Sequence, residues 1–353
     1  MPNVRTRQIS MVAIGLAMFP GFAVAHHSVG GFFDPSTTVE IEGVVRTVKW
    51  RNPHTIFEID VTGPSGEITT WRIESGALGI LRSRGIGREF VKIGDHVKIM
   101  GDSSLRSDHE MFARNMLLSD GKEVMLTPGS KPYFSVEEEG GILEAVFDEE
   151  LTALARENAD GVFRVWSTNI DESRTSGGRM FNRKLPLLSD AEARRSEYDS
   201  GDASLLGCTE WSMPRLMSNP LPMEFVRRDD DILQRFEEDD NVRVIHMDPD
   251  AADGSDEYLV LGYSVGRWDG ETLVVETTRV EPDRLDNRGT PFSSAMHLLE
   301  RFTPSPDGTR LNYSLTITDP HTFSESFEVG RYWIWRPEMA VGAYDCEQDQ
   351  DLG

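Results

Sequence analysis

The chain has 353 residues, of which 38% are hydrophobic and 27% charged, and its formal net charge is -24. This length is typical of two domains, and this composition is typical of a folded chain rather than a disordered one. Because a strongly negative surface repels phosphate groups, the charge argues against nucleic acids and anionic membrane surfaces as partners. The same charge attracts cations, including metal ions.

Residues 1–25 have the pattern of a secretory signal peptide. Two arginines precede an apolar run over residues 11–25, and the run ends in Ala23-Val24-Ala25, a small-residue pattern that signal peptidase cleaves. The run is too short and too interrupted for a stable membrane span. We therefore expect a periplasmic or secreted protein without stable membrane insertion, whose mature chain begins with His26.

Residues 26–125 contain short segments in which polar and apolar side chains alternate, as is typical of β-strands. The predicted strands cover residues 39–50, 55–61, 68–73, 96–100 and 111–118, with a short helix at 76–83. Five strands with a helix after the third predict a small OB-like β-barrel.

Residues 126–160 are predicted to be a connector that is helical over 143–159, and residues 161–353 a second β domain. Its predicted strands are 161–167, 223–227, 232–237, 242–247, 259–268, 272–278, 297–303, 310–317 and 327–335. A helix near 189–198 is expected to begin with Ser189 as its N-cap. This spacing of strands predicts a larger antiparallel β-barrel or sandwich, calycin-like in outline, so the whole protein is expected to be mainly β.

Four motifs mark the first half of the chain. They are His26-His27-Ser28, Trp50-Arg51-Asn52-Pro53-His54, Trp71-Arg72-Ile73-Glu74 and Ile93-Gly94-Asp95. Together they resemble an uncharacterised domain family of exported proteobacterial proteins, whose members begin with Ala-His-His-Ser at the cleavage point and carry an Asn-Pro-His motif. This resemblance implies export and brings no established activity.

The second half carries motifs of its own. They are Gly262 to Thr277, His297 to Phe302, Asp319-Pro320 and Tyr344 to Glu347. They resemble a second uncharacterised group, from soil and aquatic bacteria, which implies that two families are fused in this chain. That group often has a histidine near the position of Phe292, and this chain lacks it.

His26, His27 and His54 form the first candidate site. An N-terminal histidine offers its α-amine and a ring nitrogen, and the α-amine loses its proton to a metal readily because its pKa is about 8. With a ring nitrogen of His54, this set provides three nitrogen ligands of the kind that copper(II) prefers. The alternative is that His26 and His27 belong to a frayed end and that His54 is a turn residue.

The second candidate site lies in the second domain and contains His297, Glu300, Arg301 and Asp319. On a strand, His297 and Arg301 share one face and Glu300 takes the other. We expect these residues to meet at the mouth of the barrel, where a histidine beside a carboxylate serves as general acid and base. The alternative is a buried polar network or a set of surface ion pairs.

Cys208 and Cys346 are the only two cysteines of the chain. In an oxidising compartment such a pair is expected to form a disulfide, and a metal site with two cysteines is the alternative.

Two classes of function remain open at this point. One is metal binding, with copper as the cofactor, through the N-terminal histidines. The other is a small-molecule-binding protein, or an enzyme of the lyase, isomerase or hydrolase type, with a pocket in the second barrel. A structural role in an envelope complex is a third possibility, and the sequence does not decide whether the protein is an enzyme.

Overall fold

The structure is a computed structural model that describes residues 32–127, 129–134, 141–169, 180–181, 183–198, 210–248, 255–344 and 346. The protein is mainly β and contains a small N-terminal sheet and a closed barrel of nine strands. This confirms the predicted fold class. None of the helices in these residues is long and apolar enough to cross a membrane.

The N-terminal sheet closes on itself. Its elements are β1 (Phe33–Lys49), β2 (Ile56–Thr62), β3 (Ile68–Glu74), α1 (Leu78–Arg82), β4 (His96–Ser104), β5 (Glu110–Leu117) and β6 (Glu123–Met125). Strand β1 pairs antiparallel with β2 and β4, while β3 pairs parallel with β5. The ring β1-β2-β3-β5-β4 with a helix after β3 is the expected OB-like arrangement.

Strand β1 is longer than its sequence pattern predicts, because it begins at Phe33 rather than at residue 39. Its pairing with β4 shifts register between Asp34 and Thr38. Such a bulge interrupts the alternation of polar and apolar side chains, which explains why the pattern misses the start of the strand. The barrel core contains Ile41, Val45, Phe57, Ile59, Ile73, Ile99 and Met111.

Besides α1, the described part of the chain contains two further α-helices. Helix α2 (Glu149–Glu157) starts at Asp148, whose side chain accepts hydrogen bonds from the backbone N–H groups of Glu150 and Leu151. Helix α3 (Ser189–Ser196) has Leu188 as its N-cap, with no side-chain hydrogen bond, so the prediction of Ser189 as the cap is wrong. The Leu188 N–H donates to the carbonyl of Thr322, and this contact keeps the chain extended up to the first helical residue.

The larger barrel contains β7 (Val165–Ser167), β8 (Met223–Arg228), β9 (Asp231–Phe236), β10 (Val242–His246), β11 (Tyr263–Asp269), β12 (Thr272–Thr278), β13 (His297–Pro304), β14 (Arg310–Thr318) and β15 (Phe327–Trp335). The strands follow one another around the ring, and β15 closes it on β7. All neighbours are antiparallel except β10 and β11, which are parallel. The predicted strand 259–268 therefore starts later, at Tyr263, because the chain first crosses over to reach the parallel position.

Aromatic side chains fill the interior of the larger barrel. Phe225 packs on Phe302 with ring centroids 5.1 Å apart, and Tyr313 packs on Trp333 at 5.2 Å. All four are buried. The centre of this barrel is therefore a packed core rather than an open pocket.

The two barrels touch through α1 and the C-terminal segment. Ile80 of α1 packs with Leu221 and Tyr344 in a small apolar cluster. Beside it, the Arg82 guanidinium lies 2.8 Å from the Glu237 carboxylate.

Candidate functional site

His54 lies just before β2, next to the end of β3, where Glu74 is paired in register with Ile56. The Nδ1 atom of His54 is hydrogen-bonded to Oε1 of Glu74. The His54 side chain is 18% exposed and that of Glu74 only 2%. An ionised carboxylate only accepts hydrogen bonds, so Nδ1 is the donor. In the neutral ring, Nε2 is then the nitrogen that can bind a metal ion. Histidine ligands of metal ions are commonly oriented by a carboxylate in this way.

The start of β1 lies close to His54. The His54 and Phe112 rings pack edge to face, with their centroids 5.9 Å apart. The Phe112 ring also packs against that of Phe33, the first residue of β1, with centroids 5.6 Å apart. The first residue of β1 is thus linked to His54 through the Phe112 ring. His26 and His27 precede β1 and lie outside the described residues.

Arginines balance the other carboxylates around this end of the barrel. Arg72 Nη1 lies 3.4 Å from Glu110 Oε1 and 3.7 Å from Glu74 Oε2, and Arg106 Nη2 lies 3.3 Å from Glu110 Oε1. Ser104 Oγ also donates to Glu110, at 2.8 Å. Within the described residues, no three His, Cys, Asp or Glu side chains are grouped to hold a metal ion. A metal ion bound by His54 would therefore need further ligands from outside the described residues.

The candidates on β13 do not meet at the barrel mouth, and that expectation is wrong. His297 and Arg301 lie on the outer face, each with 42% of its side chain exposed. His297 Nε2 is 3.7 Å from Glu276, and Arg301 Nη2 is 2.7 Å from Asp269. Arg301 thus forms a surface ion pair and His297 lies beside a surface carboxylate, which agrees with the alternative of surface ion pairs for this group.

Asp319 stabilises the loop that contains Ser293 by accepting hydrogen bonds from it. It follows β14 and is 2% exposed. Its carboxylate accepts hydrogen bonds from Ser293 N at 2.7 Å, Ser293 Oγ at 2.6 Å and His321 N at 3.2 Å. Burial alone raises the pKa of Asp319, but these hydrogen bonds outweigh it and hold the pKa below its ordinary value.

Glu300 lies on the face of β13 opposite His297 and Arg301, as the alternation predicts, and this face points into the barrel, where Glu300 is fully buried. It pairs with Arg243 of β10, a residue that the sequence analysis missed. Arg243 also donates from Nε to Ser264 at 2.8 Å, from Nη1 to Gln234 at 3.0 Å and from Nη2 to Thr277. These contacts and the two to Glu300 occupy all five N–H groups of the guanidinium. Glu300 thus belongs to a buried polar network, which was one of the two alternatives for the second candidate site. The sequence signal for this network is Arg243, a charged residue at an inward position of β10.

Cys346, the one described cysteine, is not a free thiol. It forms an isolated parallel bridge with Asn52, two residues before His54. Its proposed disulfide partner, Cys208, lies outside the described residues, so this pairing stays a prediction.

Comparison with known protein families gives a match for the N-terminal part of the chain. Residues 15–110 match the family model of DUF6152, a family of unknown function. No curated protein sequence matches the chain. The match supports an uncharacterised domain family for the first half and includes His26, His27 and His54, while the resemblance of the second half stays a prediction.

Proposed function

We propose that the protein is exported to the periplasm or beyond it and binds copper through His54 and the N-terminal histidines of the mature chain. The observation that carries this proposal is the pair formed by His54 and the buried carboxylate of Glu74. It orients the imidazole and presents Nε2 as the ligand atom.

The other ligands come from the segment before β1. Cleavage after Ala25 creates an α-amine on His26, which chelates a metal together with its own ring nitrogen. Phe33 packs near His54 through Phe112, and it follows His27 by six residues. A segment of this length reaches up to about 20 Å, enough to fold back onto His54.

The charge of the protein favours the same function. The net charge of -24 raises the local concentration of cations, and three nitrogen ligands select copper(II) over harder ions. Arg72 and Arg106 neutralise the nearby carboxylates, so the site relies on nitrogen rather than oxygen ligands.

The test uses protein exported with its own signal segment, so that the host performs the cleavage. Mass spectrometry should give a mature chain that starts at His26, with about one copper retained per chain after desalting. His54→Ala should abolish retention, and Glu74→Gln should lower copper(II) affinity by about 10–100-fold in a competition titration.

The matched control is His96→Ala, which removes an exposed histidine of the same barrel, 57% accessible, and should leave the affinity unchanged. A second control is protein that keeps Met1 and residues 2–25, which should lose the tight site because its α-amine is elsewhere. A different mature N-terminus, or full copper retention by His54→Ala, would overturn the proposal.

A further inference from the structure

A cleft opens in the wall of the larger barrel between β10 and β11. The two strands are registered at two positions only, Ile245 with Ser264 and His246 with Val265. On the other side of this short ladder, residues 242–244 and 259–262 diverge and leave a cleft of ≈ 560 Å³. This volume lies within the range of small-molecule sites, about 300–1,000 Å³.

The walls of the cleft are apolar along its length and acidic at one end. Its lining includes Val242, Val244, Leu259, Leu261, Glu210 and Asp239. Val242 is 47% and Leu259 40% exposed, so the cleft presents uncovered apolar surface. Asp240 adds a further carboxylate to the acidic end.

The charges of the cleft decide which ligand fits. Arg243 also reaches the lining, but its five N–H groups are engaged by the buried network, so it has no donor left for an anion. In contrast, Oδ2 of Asp239 is buried and has no hydrogen-bond partner within the described part of the chain. A buried carboxylate oxygen without a donor is costly, and a cation would satisfy it.

The raised pKa of Asp239 agrees with this geometry. Burial, followed by the neighbouring Glu210 carboxylate, raises the pKa of Asp239 to about 7. Trp211 N–H, Asp240 and Arg215 are the other groups that act on it. A cation bound beside Asp239 would relieve both the desolvation and the repulsion.

We infer that this cleft binds a small organic amine, with its ammonium group beside Asp239 and its apolar body along the wall formed by Val242, Val244 and Leu261. The site is separate from the proposed copper ligands and does not depend on them.

Phenethylamine is a suitable probe, because it joins an ammonium group to an apolar body. Isothermal titration of the metal-free, full-length mature protein at pH 8 should show saturable binding of phenethylamine. The anion 3-phenylpropionate and the neutral alcohol 3-phenylpropanol have similar bodies and should bind at least about tenfold more weakly, since each lacks the charge-assisted hydrogen bond. The same result is expected in the His54→Ala background.

Asp239→Asn should weaken phenethylamine binding by about tenfold or more, the effect of losing one hydrogen bond to a charged group. Asp229→Asn is a matched control: Asp229 is exposed and has φ 51°, against 53° for Asp239. Asparagine tolerates this left-handed conformation, so both variants should fold. His246, Glu210 and Asp240 also line the cleft. From pH 8 to pH 6 the wild-type affinity should therefore fall more than that of Asp239→Asn, because only the wild type gains a proton at position 239. The inference would be overturned if phenethylamine showed no saturable binding at millimolar concentration. It would also be overturned if 3-phenylpropionate bound equally well, or if Asp239→Asn bound phenethylamine as tightly as the wild type.

Discussion

Glu300 and Arg301 are neighbours in sequence with opposite surroundings. Glu300 is buried with Arg243, and Tyr313 donates its hydroxyl to the same carboxylate at 2.9 Å. Burial, followed by the Glu300 charge, raises the pKa of Tyr313 well above its ordinary value, so this hydroxyl stays a donor. Arg301, one residue on, forms an exposed ion pair with Asp269. A buried pair and an exposed pair therefore lie back to back on one strand.

Glu300→Gln should destabilise the protein strongly, because it leaves the Arg243 guanidinium buried without a counter-charge. We expect the free energy of unfolding to fall by about 3–5 kcal/mol. Arg301→Gln should cost less than about 1 kcal/mol, because its pair is exposed and screened by solvent. Urea unfolding followed by tryptophan fluorescence measures both. Equal costs for the two variants would mean that Glu300 does not balance a buried charge.

At the scale of elements, a bulge shapes the smaller barrel. The pairing of β4 with β5 shifts register between Met100 and Gly101. A Cβ atom at Gly101 would lie 2.2 Å from the carbonyl oxygen of Phe112 and 2.9 Å from Cα of Ala113. Close approach of the two backbones, rather than an unusual φ, therefore requires glycine here.

Gly101→Ala should force β4 and β5 apart and destabilise the smaller barrel by about 1–3 kcal/mol, the usual cost of overpacking. Gly87→Ala is the matched control, because a Cβ there meets nothing within 4 Å. Its backbone has φ -90° and ψ 169°, which alanine adopts freely. The control should stay within about 0.5 kcal/mol of the wild type. Differential scanning calorimetry of both variants would test this, and an unchanged Gly101→Ala transition would contradict the packing argument.

At the scale of the whole molecule, the C-terminal segment joins the two barrels. Asn52 of the smaller barrel is fully buried and donates from Nδ2 to the carbonyl of Tyr344 at 2.5 Å. On its other side, Tyr344 N donates to Asp240 at 3.0 Å and its hydroxyl donates to Glu238 at 3.1 Å. Through Asn52 this contact lies two residues from His54, so the proposed copper ligand is supported by the larger barrel.

The stability of this junction should fall as pH rises, because ionising the buried Glu238 costs more than its hydrogen bonds return. Burial, followed by the Asp239 carboxylate, raises the pKa of Glu238 to about 8 from its ordinary 4.5. The folded state thus prefers protonated Glu238. The stability that it contributes is fully present below pH 4.5 and is lost as pH rises through about 8.

Glu238→Gln should therefore reduce the fall in melting temperature between pH 5 and pH 8. Part of the fall should remain, because the pKa of Asp239 is also raised, to about 7. A change of about 1 kcal/mol corresponds to roughly 2–4 °C in a protein of this size. Glu271→Gln, at an exposed position, should reproduce the wild-type profile. A Glu238→Gln profile identical to the wild type would show that Glu238 is not protonated in the folded protein.

Features that depend on neighbours along the chain can be predicted from the amino-acid sequence. Alternation of apolar side chains predicted most strands, the mainly β class and the two barrels, because burial on one face of a strand has a period of two residues. It also predicted that Glu300 faces away from His297 and Arg301. The Asn-Pro-His motif identifies His54 as a candidate ligand. Its carboxylate partner Glu74 ends a second motif, Trp71 to Glu74, but the sequence does not indicate that the two side chains pair.

Contacts between residues that are distant in sequence depend on the folded structure. Arg243 and Glu300 are 57 positions apart, and Asn52 and Tyr344 are 292 apart. No local period records such pairings, because they follow from how a closed ring brings strand ends and edges together. In the closed ring, β10 and β11 are parallel neighbours with a cleft between them. His297 and Arg301 lie on its outer surface. Alternation along a strand fixes which side chains share a face, whereas the packing of the whole barrel determines whether that face contacts the core, a cleft or solvent.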